Sequence, residues 1–108
     1  MKNESKQLIN NYNIGEYVII RTYSAGVHMG KLEAKTATEC ILSDTRRMRY
    51  FKCLDDGDSL SHIALSGIHP DSKLTAAIPS ILLQQIEIIP ISSDALKTFM
   101  AQPYEVVK

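Results

Sequence analysis

The residues of this chain best suited to chemistry lie in two short stretches, Arg21-Thr22-Tyr23-Ser24-Ala25-Gly26-Val27-His28 and Arg46-Arg47-Met48-Arg49-Tyr50-Phe51. Guanidinium forks match phosphate oxygens two at a time, and flat rings stack on bases. Each stretch reads as a strand end carrying polar, cationic and aromatic side chains where an apolar alternation would normally continue. Side by side, two such strands would present positive charge and rings to a phosphate-bearing, base-bearing small molecule. Arg46, Met48 and Tyr50 share one strand face, and Arg47, Arg49 and Phe51 share the other. At least one arginine must therefore lie on the more buried side of the sheet, where it needs a carboxylate, a backbone carbonyl or a ligand phosphate. The competing reading is an exposed strand decorated with solubilising charge.

Catalytic signatures are missing from the sequence. No Gly-rich loop leads into a helix with Lys and Ser or Thr, and no Gly-x-Ser-x-Gly elbow occurs. Cys40 and Cys53 fall inside predicted strands and read as small, reduced core residues. Asp55, Asp56 and Asp58 resemble a cation loop, but the remaining calcium-ligand positions do not follow, so a solvated turn is expected. His28, His62 and His69 stand with no cysteine or carboxylate at a recurring ligand spacing, so neither a metal site nor a cofactor is expected. His28 suits a strand face with one structural hydrogen bond, and His62 an exposed helix position. His69, beside Pro70 and near Ser72 and Lys73, lies in a loop able to close over a ligand.

The elements that must position these groups follow from periodicity and turn chemistry. A chain of 108 residues makes one domain. Residues 1–13 read as a mobile tail, 14–102 as a β-rich ligand-binding domain, and 103–108 as a second tail. Glu16–Tyr23 is predicted as a central strand, apolar on both faces, and Ser24-Ala25-Gly26 as a turn. Strands are predicted at Val27–Ala34, with Gly30 marking a bulge or close approach, at Thr38–Ser43 and, after an Asp44-Thr45 turn, at Arg46–Cys53. Ser59 caps a short helix that Gly67 stops; Lys73–Ile78 is a short strand broken by Pro79; Ile81–Ile91 is a strand; Ser93 caps a last helix to about Ala101. The fold class is α+β, mostly β: an antiparallel β-meander sheet or partly open barrel with two short helices.

Charge narrows the partners. Twelve Lys and Arg balance twelve Asp and Glu, for a formal net charge of zero. That argues against duplex nucleic acid or an anionic membrane surface and leaves room for one local cationic pocket. No run approaches a membrane span, and Met1–Lys6 lead into no long apolar block, so no secretory signal is expected.

The turn Arg21-Thr22-Tyr23-Ser24-Ala25-Gly26-Val27, the Thr45-Arg46-Arg47 segment ending in Tyr50-Phe51, the Ser59-Leu60-initiated helix and the Ile86-Glu87-Ile88-Ile89-Pro90 strand together resemble a small phage-encoded β-rich family. The match covers most of the chain outside the two tails. It extends to the Thoeris anti-defence sponges, oligomeric phage proteins that sequester cyclic ADP-ribose-type immune signals without cleaving them; some relatives capture cyclic oligonucleotide signals of CBASS defence. The resemblance implies a non-enzymatic, homo-oligomeric (dimer or hexamer) protein of the host bacterial cytoplasm. From the physical reading, Arg21, Arg46, Arg47 and Arg49 are candidate phosphate grips, Tyr23, Tyr50 and Phe51 candidate stacking rings, Gly26 the turn residue beside them, and His28, His69 and Lys73 candidate polar closers. The alternative functions are a phage inhibitor that binds a host defence protein directly and a single-stranded nucleic-acid module.

Overall fold

The computed structural model describes residues 11–105. Six strands, Tyr17–Arg21 (β1), Val27–Lys35 (β2), Glu39–Tyr50 (β3), Lys73–Leu74 (β4), Ile78–Gln84 (β5) and Glu87–Pro90 (β6), accompany two helices, Leu60–Ser66 (α1) and Ser93–Ala101 (α2). β1, β2 and β3 form an antiparallel meander. The far edge of β3 pairs with β5 along its first half and with β4 along its second, while β6 pairs with the outer edge of β1. The protein is mostly β with two short helices, as the turn and alternation pattern predicts.

Only Gln85 and Ile86 separate β5 from β6, yet these strands pair with opposite sides of the meander. The sheet must curl for one apolar run to reach both. Gln85 N–H donates to the Thr38 carbonyl at 3.0 Å and Ile86 N–H to the Arg21 carbonyl at 2.8 Å, so the bend is hydrogen-bonded to both sides. The single strand predicted for Ile81–Ile91 is therefore two. No ladder joins β5 to β6 among the described residues, which leaves the sheet open.

Curling makes two cores. Val18, Ile20, Leu32, Cys40, Leu42 and Leu83 fill the concave side, and Ile19, Met29, Met48, Ile63, Leu74 and Phe99 pack the outer side beneath the helices. β1 is thus buried on both faces, which its apolar alternation on each side predicts. Cys40 is a free, buried thiol in the first core, and burial pushes its pKa up to about 11.

Four expectations are corrected. Asp44-Thr45 does not end a strand: Asp44 takes φ 45° as a bulge opposite Gly30, its carboxylate accepts from Tyr17 Oη at 2.6 Å, and the twelve residues of β3 run through. Gly30 fits the close approach expected there, since a Cβ would lie 2.8 Å from Thr45 Cβ. Pro79 breaks nothing, because it sits within edge strand β5, where a missing N–H is tolerated. Ser92 rather than Ser93 caps α2, its Oγ accepting from Ala95 N–H at 3.0 Å. The tail expected from residue 103 is tied down as far as Glu105, whose N–H donates to the Leu74 carbonyl at 2.8 Å. Of the expected N-terminal tail, residues 11–13 form a turn leading to Gly15, and the rest lies outside the described residues.

Candidate functional site

The four arginines meet four different fates. Arg21 Nε donates to Glu87 Oε1 at 2.7 Å, a cross-strand pair on β1 and β6 with both side chains nearly half exposed. Arg49 Nη1 pairs with Glu105 Oε1 at 2.8 Å. Arg46 is the arginine on the more buried face. Its Nε donates to the Thr75 carbonyl at 2.8 Å, and its Nη1 to the carbonyls of Phe99 at 3.0 Å and Gln102 at 2.8 Å. Of the three partners the sequence leaves open, the structure supplies backbone carbonyls, and the guanidinium ties β3 to the C-terminus of α2. Arg46 is thus spent on the fold rather than offered to a ligand.

Arg47 differs. Among the described residues its guanidinium makes no hydrogen bond or ion pair; only its backbone is engaged, with Thr75. Its Nη1 stands 3.8 Å from where a Gly26 Cβ would be, and Gly26 takes φ 83°, so the turn residue brings backbone close to the guanidinium. Arg47 is the register partner of His28. The Thr22–Gly26 turn beside it is braced by Thr22 Oγ1, which donates to the Gly26 carbonyl at 2.7 Å and accepts from Ala25 N–H at 2.8 Å. That brace holds Tyr23 at 89% exposure.

His28 is buried, and its Nε2–H donates to the Ala25 carbonyl at 2.8 Å, the single structural bond expected of it. Burial, aided by the charge of Arg47, lowers its pKa from the usual histidine value despite that bond. The folded protein therefore takes up a proton at His28 only at lower pH than the unfolded chain does, whose imidazole titrates near about pH 6.5. Stability should fall as pH drops through that value, and His28→Gln should flatten this acid limb in urea titrations between pH 7 and 5. An unchanged limb in the variant would assign it to other groups.

The remaining candidates scatter. Tyr50 is half exposed opposite Lys73 at the β3–β4 edge, while Phe51 packs on the outer core and is no free stacking ring. His69 Nδ1 accepts from Asp71 N–H at 3.0 Å in its loop. Gly26 and His28 stand beside Arg47, and Tyr23 belongs to the same turn as Gly26; Arg21, Arg46, Arg49, Phe51 and His69 have partners elsewhere.

The concavity next to the turn, lined by Thr22–Ala25 and Leu82–Gln84, holds about 190 Å³. A larger one of about 510 Å³ lies at the other end of β2, lined by Asn11, Ile14 and residues 33–37; neither concavity is lined by an arginine, and Arg47 stands outside the smaller one. A family described as a domain of unknown function (DUF6948) matches residues 15–99. The chain belongs to the DUF6948 family. No curated protein and no solved structure matches it.

The DUF6948 domain also assembles a cluster that the spacing of its histidines did not suggest. Cys53 Sγ donates to Asp55 Oδ1 at 3.1 Å, and His62 Nε2 lies 3.0 Å from the same oxygen. These donors hold the Asp55 carboxyl down to about pKa 2, the Cys53 bond first and the Gly57 N–H next. Cys53 is buried in the outer core, and His62 is held at the first turn of α1 by the Ser59 cap. The sequence signal was Cys-x-Asp with a histidine seven residues on, across a loop whose closure could be read only from the fold.

Proposed function

We propose that this DUF6948 domain is a binding protein for a phosphate- and base-bearing small molecule, and that it acts in the bacterial cytoplasm as a phage anti-defence sponge for cyclic nucleotide immune signals (glyco-cyclic ADP-ribose or cyclic oligonucleotides), which it sequesters without cleaving. The observation that carries this reading is the Arg47 guanidinium, unspent among the described residues, which stands beside Gly26 and across from buried His28, with exposed Tyr23 on the same turn as Gly26. A fixed cation, a backbone that approaches closely and a free ring are what a nucleotide phosphate and base require. Arg47 is the grip and Tyr23 the stacking partner, with Tyr50 and Lys73 at the β3–β4 edge as outer contacts.

The 190 Å³ beside the turn is smaller than the several hundred that small-molecule sites occupy. A second copy closing over the same surface would supply the missing walls, so the sponge works as a homo-oligomer.

The test is thermal melting against cyclic ADP-ribose isomers and cyclic di- and trinucleotides, with recovered ligand checked by mass. A ligand at a hundredfold excess over its dissociation constant adds about 2.7 kcal/mol to stability. Arg47→Ala should weaken that ligand about tenfold to a hundredfold, the loss of a charged hydrogen bond, while leaving the unliganded melt unchanged. No shift across the panel, or undiminished affinity in Arg47→Ala, refutes the reading. The shallowness of the surface favours one second reading, direct binding of a host defence protein with Tyr23 and Arg47 as anchors. A saturable host partner that Tyr23→Ala abolishes, in the absence of any nucleotide shift, would establish it instead.

A further inference from the structure

Far from Arg47, where the loop after β3 meets α1, Cys53 Sγ, an Asp55 carboxylate oxygen and a His62 ring nitrogen all lie within 4.8 Å of one another. We infer that these three side chains form a zinc site with a fourth, solvent-facing position. Sulfur, imidazole nitrogen and carboxylate oxygen are the donors this borderline-soft ion accepts, and three protein ligands with one open position is a common zinc arrangement.

The geometry is close to what the ion needs. Tetrahedral ligands at normal zinc bond lengths lie about 3.3–3.5 Å apart. Sγ and Nε2 already stand 3.1 and 3.0 Å from Asp55 Oδ1, so a modest opening of these two contacts admits the ion. In the metal-free arrangement Cys53 Sγ donates to Asp55 Oδ1 and His62 Nε2–H to Asp55 Oδ2 at 3.2 Å, and these protons take the place of the cation. Binding Zn²⁺ releases the Cys53 thiol proton to solvent and frees Nε2 as a neutral donor through a change of tautomer.

Two further observations point to a built site. A Cβ at Gly57 would lie 2.2 Å from His62 Cγ and 2.5 Å from Cδ2, so the loop is shaped against the face of the imidazole. The Gly57 N–H also donates to Asp55 Oδ1 at 3.0 Å, which orients the carboxylate toward the other two donors, the kind of supporting contact that metal ligands have. A thiol is a weak donor, and a serine would latch the loop better if latching were its purpose. The open position faces outward, since the Asp55 side chain is 54% and that of His62 39% exposed.

The experiment is titration of chelator-treated protein with Zn²⁺ against a colorimetric competitor, and with Co²⁺ for its spectrum. The expected result is one ion per chain, with a thiolate-to-cobalt charge-transfer band and the visible bands of a tetrahedral centre. Cys53→Ser, Asp55→Asn and His62→Gln should each lower zinc affinity more than about a hundredfold, beyond the loss typical of residues that merely support a ligand. Cys40→Ala, which alters the other thiol, should leave the band intact. Circular dichroism of each variant separates a lost ligand from a lost fold, and His62→Gln, at a half-exposed position, decides the matter if Cys53→Ser unfolds. Absence of stoichiometric binding to the folded protein, or a band that survives His62→Gln, overturns the inference.

Discussion

Replacing Arg46 with alanine should destabilise the domain by about 3–5 kcal/mol, a large share of the roughly 5–15 kcal/mol a domain of this size possesses. One guanidinium donates to the carbonyls of Thr75, Phe99 and Gln102, at 2.8, 3.0 and 2.8 Å. Two of these belong to the C-terminal end of α2, where the Gln102 carbonyl lies past the last helical turn, the Phe99 carbonyl also accepts from Gln102 N–H at 3.2 Å, and a cation meets the negative end of the helix dipole. Hydrogen bonds to a charged group contribute about 1.5–3 kcal/mol each, and part of the loss is recovered because the site is only partly buried and water can reach it. The thermal midpoint should drop by about 15–30 °C. Arg46→Lys should fall between wild type and alanine, since an ammonium cannot reproduce the fork that spans both strand and helix. Hydrogen exchange should show α2 opening in the variant before β1 and β2 do. A change below about 0.5 kcal/mol, the usual range of a surface substitution, would show that the three carbonyls are satisfied without Arg46.

Arg46 also marks where the sequence was legible and where it stopped. Alternation along Arg46–Phe51 required one arginine to face a core, and a buried guanidinium must be paired. Which arginine, and with what, depended on α2 packing over that face, a contact fifty residues away in the chain that no local pattern encodes. The same division holds across the sheet. Tyr17–Arg21 is apolar on both faces and proved central; Gly30 proved to be a close approach. Asp44-Thr45 has turn composition but serves as a bulge, because Asp44 finds the hydroxyl of Tyr17 two strands away, across β2, and Thr45 Oγ1 donates to the Met29 carbonyl at 2.9 Å. Local turn chemistry cannot distinguish a strand that ends from one that kinks and continues when the deciding partner is a cross-strand side chain.

At the candidate site, residue types were legible and occupancy was not. Arg21 and Arg49 have the same chemistry as Arg47, but Glu87 and Glu105 sit within reach of them, and those carboxylates arrive from β6 and the C-terminal segment. Among the described residues Arg47 stays free, since its near neighbours are Gly26, His28 and Thr75, none of which carries a negative charge. No recurring ligand spacing links the cysteine, aspartate and histidine of the second cluster in the sequence. Only the return of the chain from β3 into α1, with Gly57 leaving space for the ring, joins them.

The closure of that return rests on Gly67, and Gly67→Ala should cost about 4 kcal/mol, with a loss of roughly 15–30 °C in midpoint. Two causes combine. Gly67 caps α1 at φ 108°, ψ 177°, a region essentially reserved to glycine, where a side chain adds about 1–3 kcal/mol of strain. A Cβ would also lie 2.6 Å from Thr98 Oγ1 and 2.7 Å from its Cγ2 on α2. Thr98 cannot simply turn away, because Oγ1 accepts from Ile68 N–H at 3.0 Å and donates to the Ala95 carbonyl at 2.6 Å. Neighbouring backbone bonds, Gly67 N–H to the Ile63 carbonyl and Leu54 N–H to the Gly67 carbonyl, hold the position from the other side. The two causes separate in a double-mutant cycle. Thr98→Ala removes the clashing atoms but strands the Ile68 N–H, so alone it should destabilise by about 1–2 kcal/mol. Combined with Gly67→Ala it should recover about 1–2 kcal/mol relative to the sum, because the two closest contacts are gone and what persists is the backbone strain and the 3.2 Å approach of the residue-98 Cβ. Strict additivity in urea unfolding would mean that the collision relaxes at no cost and that φ alone sets the requirement for glycine. A Gly67→Ala variant as stable as wild type would mean that the loop can leave α2 without loss, and the helix pair would then not be the rigid cover over the outer core that its packing implies.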